Sequence, residues 1–299
     1  MKQKKTMIIM VIILAALLAM YGGMKAWNSH SEKQKKAKEK EETVSLLDVK
    51  NLKAFSYESG DSKMSFSKED GEWIYDADDG VRLNQSTIKS TAKEIAGLTA
   101  VRELKDPDEK SDYGLDKPDY TITYTAKDGS EGTIVIGDAA GDNYYAMTKN
   151  SDSVYTIAGT LVSDLTFDLS SLTENDTVPS ISSGNLKKVE VTQNGETTTY
   201  DSENEDQAED VAAVAGGLGA ATLSEAADYS VDDADLAGYG LDETSRITVE
   251  VTYTSDDEDQ TMTLYIGGEN GSGDRYVMMN DSRIVYLISD EICNNILNQ

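Results

Sequence analysis

Three hydrophobic patterns follow one another along the chain. From Met7 to Trp27 every residue but Lys25 is uncharged, and such a run makes a helix about 31 Å long, enough to cross a bilayer core. From Asn28 to Thr43 the sequence is rich in Lys and Glu and nearly free of large apolar residues, the composition of a solvated stalk. Beyond the stalk, period-two alternation takes over. Ile247, Val249, Val251 and Tyr253 alternate with Thr248, Glu250, Thr252 and Thr254, which predicts a half-buried strand.

The alternating segments come in two series. The first opens with Leu52 to Tyr57, Lys63 to Ser67 and Glu72 to Tyr75, separated by turn-forming Ser59-Gly60-Asp61 and Glu69-Asp70-Gly71, a predicted meander. Asn84 can cap a helix whose core stripe is Ile88, Ala92, Ile95, Ala96 and Thr99. The second series opens with Leu186 to Thr192, a turn at Asn194-Gly195, and Thr197 to Tyr200. Ser202 with Glu205 then reads as a capping box, with Ala208, Val211, Ala212 and Ala215 as the stripe.

Each series continues with the same four residues, Tyr113-Gly114-Leu115-Asp116 and Tyr239-Gly240-Leu241-Asp242. A four-strand meander follows each. Ile122 and Tyr124 alternate with threonines as Ile247 to Tyr253 do. Ile134 to Gly137 answers Leu264 to Gly267, Tyr145-Ala146-Met147 answers Tyr276-Val277-Met278, and Val154 to Ile157 answers Val285 to Ile288. Short helical segments close the copies near Thr160 to Thr166 and Asp290 to Leu297. The expected fold class is therefore α+β: two tandem homologous repeats, each an antiparallel β-meander with one or two packing helices, behind an N-terminal transmembrane helix. The boundaries are a cytoplasmic N-terminus at 1–6, the anchor at 7–27, the stalk at 28–44, the first repeat at 45–174, a linker at 175–184 and the second repeat at 185–299.

The repeated tetrapeptide has the chemistry of a turn. Gly114 and Gly240 permit a positive φ, Leu115 and Leu241 can be buried, and Asp116 and Asp242 can accept from nearby backbone amides. Tyr113 and Tyr239 can pack their rings while keeping the hydroxyl at a polar edge. The functional alternative is that Tyr and Asp line a groove in each repeat. Because Glu243-Thr244 stands where the first copy has Lys117-Pro118, the second turn is expected to be the looser one.

Through Tyr113 to Pro118, the strand end Ile134 to Gly137 and Val154-Tyr155, the chain resembles the domain-of-unknown-function 4340 family of bacterial envelope proteins. The resemblance covers most of residues 45 to 299. It implies an anchored extracytoplasmic protein with an accessory role, since such proteins are often encoded near ABC-type transporter and gliding-type auxiliary genes.

Charge sharpens the topology. Lys2, Lys4 and Lys5 precede the apolar run, and the positive-inside tendency keeps that end in the cytoplasm and sends the rest out, despite the lysines at 33, 35, 36, 38 and 40. No two small residues between Ala15 and Ala26 stand two positions apart, so a signal-peptidase site is missing and an uncleaved anchor is expected. Ala15, Ala19 and Gly23 form a small-xxx-small series that would let another membrane helix approach. The net charge is −28, and residues 1 to 40 hold nine Lys/Arg against two Asp/Glu, leaving the rest near −35. Such a surface repels phosphate backbones and excludes nucleic-acid binding.

Little of the chain reads as reaction chemistry. His30, the sole histidine, lies beside the predicted anchor, which removes Ser-His-Asp triads and His-based metal sites from the outer part. Cys293 is the sole cysteine, so no intramolecular disulfide forms, and with no histidine to activate it a core role is expected. Asp76 to Gly80 is not an EF-hand, since its glycine comes one position early and position 12 is Thr87. Gly216-Gly217-Leu218-Gly219 is placed after a helix, whereas a dinucleotide loop must precede one. Carboxylate pairs such as Asp232-Asp233 and Asp256-Asp257 are expected in solvated loops. Loops Asp138 to Asn143 and Gly267 to Asp274 are rich in Gly and acids and leave weak calcium binding open. No catalytic residue, metal or cofactor is indicated. The expected function is a non-enzymatic binding or scaffold module in the cell membrane, single-pass with its C-terminal part extracytoplasmic, accessory to an envelope complex such as an ABC-type transporter. The alternatives are a carboxylate-based glycan-acting enzyme, with two facing carboxylates about 5 to 9.5 Å apart, and a calcium-dependent adhesin.

Overall fold

A computed structural model describes residues 44–299. The predicted anchor with Ala15, Ala19 and Gly23, and the stalk up to Thr43, lie outside the described residues; among the described residues no helix is long and apolar enough to cross a membrane. In chain order the elements are β1 (Val44–Ser45), β2 (Leu52–Ser59), β3 (Ser62–Glu69), β4 (Glu72–Tyr75), α1 (Gln85–Ala96) and β5 (Thr99–Glu103). Then come β6 (Tyr120–Ala126), β7 (Glu131–Ala140), β8 (Asn143–Thr148), β9 (Tyr155–Ala158) and α2 (Gly159–Asp164). The chain continues with β10 (Leu186–Gln193), β11 (Glu196–Asp201), α3 (Ala208–Ala220), β12 (Ala226–Asp228) and β13 (Ile247–Ser255). It ends with β14 (Glu258–Glu269), β15 (Asp274–Met279), β16 (Val285–Ser289) and α4 (Asp290–Leu297). Two antiparallel sheets with few helices make this an α+β protein.

Contacts divide the chain into two compact units, one holding Lys93–Ser163 with the residues up to Leu52, the other Lys53–Ala92 with Asp164–Gln299. In the first unit the strands pair in the order β1-β5-β9-β8-β7-β6, each pair antiparallel. Ile122, Ile134, Ile136, Ala146 and Ile157 all point to one buried face, as the period of two demands. Met147 and Val135 point to the other, where they meet Tyr113 and Leu115.

The second unit contains the meander β2-β3-β4 and a seven-stranded sheet, β11-β10-β13-β14-β15-β16-β12. Phe55, Phe66, Trp73 and Tyr57 form an aromatic cluster, with Phe55 5.1 Å from both Phe66 and Trp73 between ring centroids. The Tyr57 hydroxyl donates to the Thr166 carbonyl at 2.5 Å, and burial pushes its pKa up. On the seven-stranded sheet, Ile247, Val249, Val251 and Tyr253 bury themselves as their alternation predicted, against Leu264, Ile266, Val277 and the apolar faces of α3 and α4. Hairpin tips take the positive φ they need from Asn194-Gly195 (52° and 81°) and from Asp256-Asp257 (51° and 62°). That second pair of carboxylates is therefore a tight turn.

Several expectations about the helices need correcting. Asn84 does cap α1, its Oδ1 accepting from the N–H groups of Ser86 and Thr87 at 3.1 and 3.2 Å, but Thr99 lies beyond the helix as the first residue of β5. Ahead of α3 the cap is Asn204, whose side chain accepts from the N–H of Asp206 and starts a 3-10 turn over Glu205–Gln207. Ser202 and Glu205 do not form the capping box. The buried face of α3 is Val211, Val214, Ala215 and Leu218, while Ala208 and Ala212 are exposed. Valine and leucine bury more apolar area than alanine and so set the phase. The glycine run 216–219 lies inside α3. A Cβ on Gly217 would stand 2.6 Å from the Ile296 nitrogen, so this glycine lets α4 approach closely.

Candidate functional site

The two Tyr-Gly-Leu-Asp segments fold as the ends of 3-10 turns. Lys110–Tyr113 stops at Gly114 with φ +69°, and Leu236–Tyr239 stops at Gly240 with φ +66°. In each, the leucine N–H reaches back five residues, Leu115 to the Lys110 carbonyl and Leu241 to the Leu236 carbonyl, both at 2.9 Å. These are the bonds of a Schellman-type stop, which uses a left-handed glycine to satisfy the last carbonyls. The leucines that follow are buried, at 5 % and 1 % exposure.

What anchors each turn is a glycine at the end of the second meander strand. A Cβ on Gly137 would lie 2.2 Å from the Tyr113 carbonyl oxygen, and one on Gly267 would lie 2.4 Å from that of Tyr239. No side chain fits between loop and strand at either place. Strand pairing shifts at the same points, between Ile136 and Ala139 in β7 and between Ile266 and Glu269 in β14, the irregularity of a bulge that bends the strand end. The Ile-Gly strand ends were legible as a recurring pattern; their purpose, making room for a distant carbonyl, was not.

The tyrosines close the contact. Tyr113 packs on Tyr145 with centroids 4.7 Å apart, in a cluster with Leu115, Met147 and Val154. Tyr239 packs on Tyr276 at 5.0 Å, in a cluster with Leu241, Met278 and Val285. Their hydroxyls bond differently. That of Tyr113 accepts from the N–H of Asp108 at 2.9 Å, whereas that of Tyr239 donates to Asp228 Oδ2 at 3.0 Å. Desolvation and then the Asp228 bond push the Tyr239 pKa up. Arg246 adds a guanidinium 4.0 Å above the Tyr265 ring in the second unit.

The second turn proves the better tied, against expectation. Asp242 Oδ1 accepts from the N–H and the hydroxyl of Thr244 at 3.1 and 2.6 Å, and the Asp242 carbonyl accepts from Ser245 and Arg246. In the first turn the position after Tyr-Gly-Leu-Asp that corresponds to Thr244 is Pro118, which has no N–H to give. The bonds from Thr244 and Ser245 hold the Asp242 carboxyl below its ordinary range.

A polar cluster in the expected linker had no counterpart in the sequence reading. Asp176 accepts from Arg82 at 2.7 Å, from the Ser282 hydroxyl at 2.5 Å and from the Tyr286 hydroxyl at 2.9 Å, while its own N–H donates to Tyr286 at 2.7 Å. Segment 175–184 also contributes Ile181 and Val178 to the core of the second unit. Cys293 is fully buried, and burial pushes its thiol up to about 11. Among the described residues no group of three or more His, Cys, Asp or Glu is placed to hold a metal ion. In the loop after Gly267, Asn270 Oδ1 is taken up by the N–H groups of Ser272 and Asp274.

The arrangement is a clamp: a left-handed glycine turns the chain, a buried leucine and a tyrosine ring hold it, and a strand glycine receives its carbonyl. No curated protein and no solved structure matches the chain. The family model described as "Domain of unknown function (DUF4340)" matches residues 73–213 and 205–299, the first segment containing the Tyr113 clamp with Gly137 and the second the Tyr239 clamp with Gly267. The chain belongs to this family.

Proposed function

We propose that the protein is a binding or scaffold module, tethered to the cell membrane by residues 7–27 and displayed on the outer side, built from two homologous repeats and accessory to an envelope complex such as an ABC-type transporter. The observation that carries this reading is the doubled clamp, in which the tyrosine carbonyl sits where a Cβ would be on Gly137 and again on Gly267. The motif residues are spent on holding a loop to a sheet, which is the economy of a scaffold that keeps its shape. Duplication is supported further by the matched order of four antiparallel strands after each clamp and by the family match in two segments. A surface near −35 in charge favours a partner with basic patches and discourages anionic lipid or nucleic acid.

Affinity purification of the full chain from its own membranes in a mild detergent tests this. Transporter or other membrane subunits should co-purify in fixed ratio. Repeated recovery of the protein alone, or turnover of a glycan substrate by the purified chain, would sink the reading.

A further inference from the structure

Two glutamines do the work of missing strands. Gln85 opens α1, and its amide bonds Trp73 twice: Oε1 accepts from the Trp73 N–H at 2.9 Å and Nε2 donates to the Trp73 carbonyl at 2.8 Å. Gln207 stands just before α3, and its amide bonds the Asp201 N–H at 3.2 Å and the Thr199 carbonyl at 2.9 Å. Trp73 lies on β4 and the other two on β11, and both strands end a sheet. An amide carries one acceptor and two donors, as a peptide group offers one of each. The first pattern is the reciprocal pair an antiparallel neighbour makes with one residue; the second, bonding residues two apart, is what a parallel neighbour makes.

We propose that Gln85 and Gln207 are edge locks, each occupying outward backbone groups so that the edge cannot accept a strand from a second copy of this chain. An unpaired edge is a template for association, and proteins blunt it by keeping it short or covered. The edges β1 and β12 are two and three residues long. The longer edges, β4 with four residues and β11 with six, are the ones that carry a glutamine. On β4 the turn covers one further outward group, since the Asp78 N–H donates to the Tyr75 carbonyl. β11 has the greater need. Its Thr197, Thr198 and Thr199 are exposed, uncharged and good strand formers, and two copies of such an edge can pair about a two-fold axis.

Two measurements on the full chain, in one detergent throughout, test the proposal. In the wild-type protein, hydrogen exchange at the Trp73 amide of β4 and the Asp201 amide of β11 should be slower by roughly tenfold or more than at the outward Thr199 amide of β11. Equal rates would overturn the idea without any mutation. Gln207→Met keeps the length of the side chain and removes its hydrogen bonds. Light scattering should then show a mass that rises with protein concentration above the wild-type value, with the Thr199 amide becoming protected as it does so. A variant that folds and keeps the wild-type mass at every concentration would equally overturn it. Gln85→Met, on the shorter and better covered β4, should show faster Trp73 exchange with a smaller change of mass.

Discussion

In the first clamp the Tyr113 hydroxyl receives a backbone N–H, and in the second the Tyr239 hydroxyl gives its proton to a carboxylate. Asp116 is followed by a proline two residues on, and Asp242 by a threonine that it binds twice. Val135 in the first aromatic cluster faces the same job as Tyr265 in the second, where a guanidinium covers the ring. Three things do not differ: the left-handed glycine, the buried leucine and the strand glycine against the tyrosine carbonyl. Side-chain hydrogen bonds can be exchanged for one another at a net cost near zero, because water competes for each of them. A backbone carbonyl resting where a Cβ would sit has no substitute. Close approach, then, is what the two turns have in common, and the bonds around it differ from one to the other.

The sharpest way to break that comparison is to fill the approach. Gly137→Ala and Gly267→Ala each place a methyl within 2.4 Å of a backbone oxygen, and each should cost about 3 kcal/mol or more in denaturant unfolding. Similar losses at the two sites support a common clamp; a loss at one site alone would separate them. Gly216→Ala is the control, since nothing lies within 4 Å of its Cβ position in α3, and it should stabilise by about 0.5–1 kcal/mol.

Next in size comes a pair of tyrosines that follow matching valines. Val154 and Val285 are both buried, but Tyr155 is only half-buried whereas Tyr286 is fully buried with its hydroxyl on Asp176. Tyr286→Phe takes one of three donors from the Asp176 carboxylate and leaves the Asp176 N–H without its acceptor, and should cost about 1.5 kcal/mol. Tyr155→Phe should stay within about 0.5 kcal/mol. Equal costs would mean that the bonds of the Tyr286 hydroxyl to Asp176 contribute nothing to stability.

Helix starts give a smaller contrast. Asn84→Ala and Asn204→Ala each remove a side-chain acceptor from the first turn and should cost about 1 kcal/mol. Ser202→Ala should change stability by less than about 0.5 kcal/mol, which separates the observed cap from the one its spacing suggested.

What the sequence disclosed and what it hid divide by range of interaction. The strand Ile247 to Tyr253 was legible because a half-buried strand writes its burial in alternate residues. The turns were legible because Gly114 and Gly240 are the residues a positive φ selects. The stripe of α3 slipped by a residue or two because alanine is apolar enough to fit either face, and only Val214 and Leu218 in their packed places decide. β5 and β12 went unseen: five and three residues at sheet margins carry too few buried positions to show a period. Gly137, Gly267, Gln85, Gln207 and Asp176 were invisible as site residues because the partner of each lies far away in sequence or leaves no pattern around it. Burial is written locally; a single long-range contact is not.

The smallest effect is the most discriminating about the two turns. Thr244 and Ser245 hold the Asp242 carboxyl below its ordinary range in the folded protein, so folding favours the ionised form. The sign follows from linkage. A depressed folded pKa contributes stability that is present above the unfolded value, about 3.9 for Asp, and that is lost as pH falls through the folded one. Asp242→Ala should therefore lower the melting temperature at neutral pH, and the gap from wild type should close as pH drops below about 4. Asp116→Ala, at the turn where Pro118 offers no N–H, should show a smaller gap at neutral pH. Melting curves of both variants across that range decide the matter. If the two behave alike, the Thr244 bonds add nothing to the second turn, and the two clamps are equivalent in energy as well as in backbone shape.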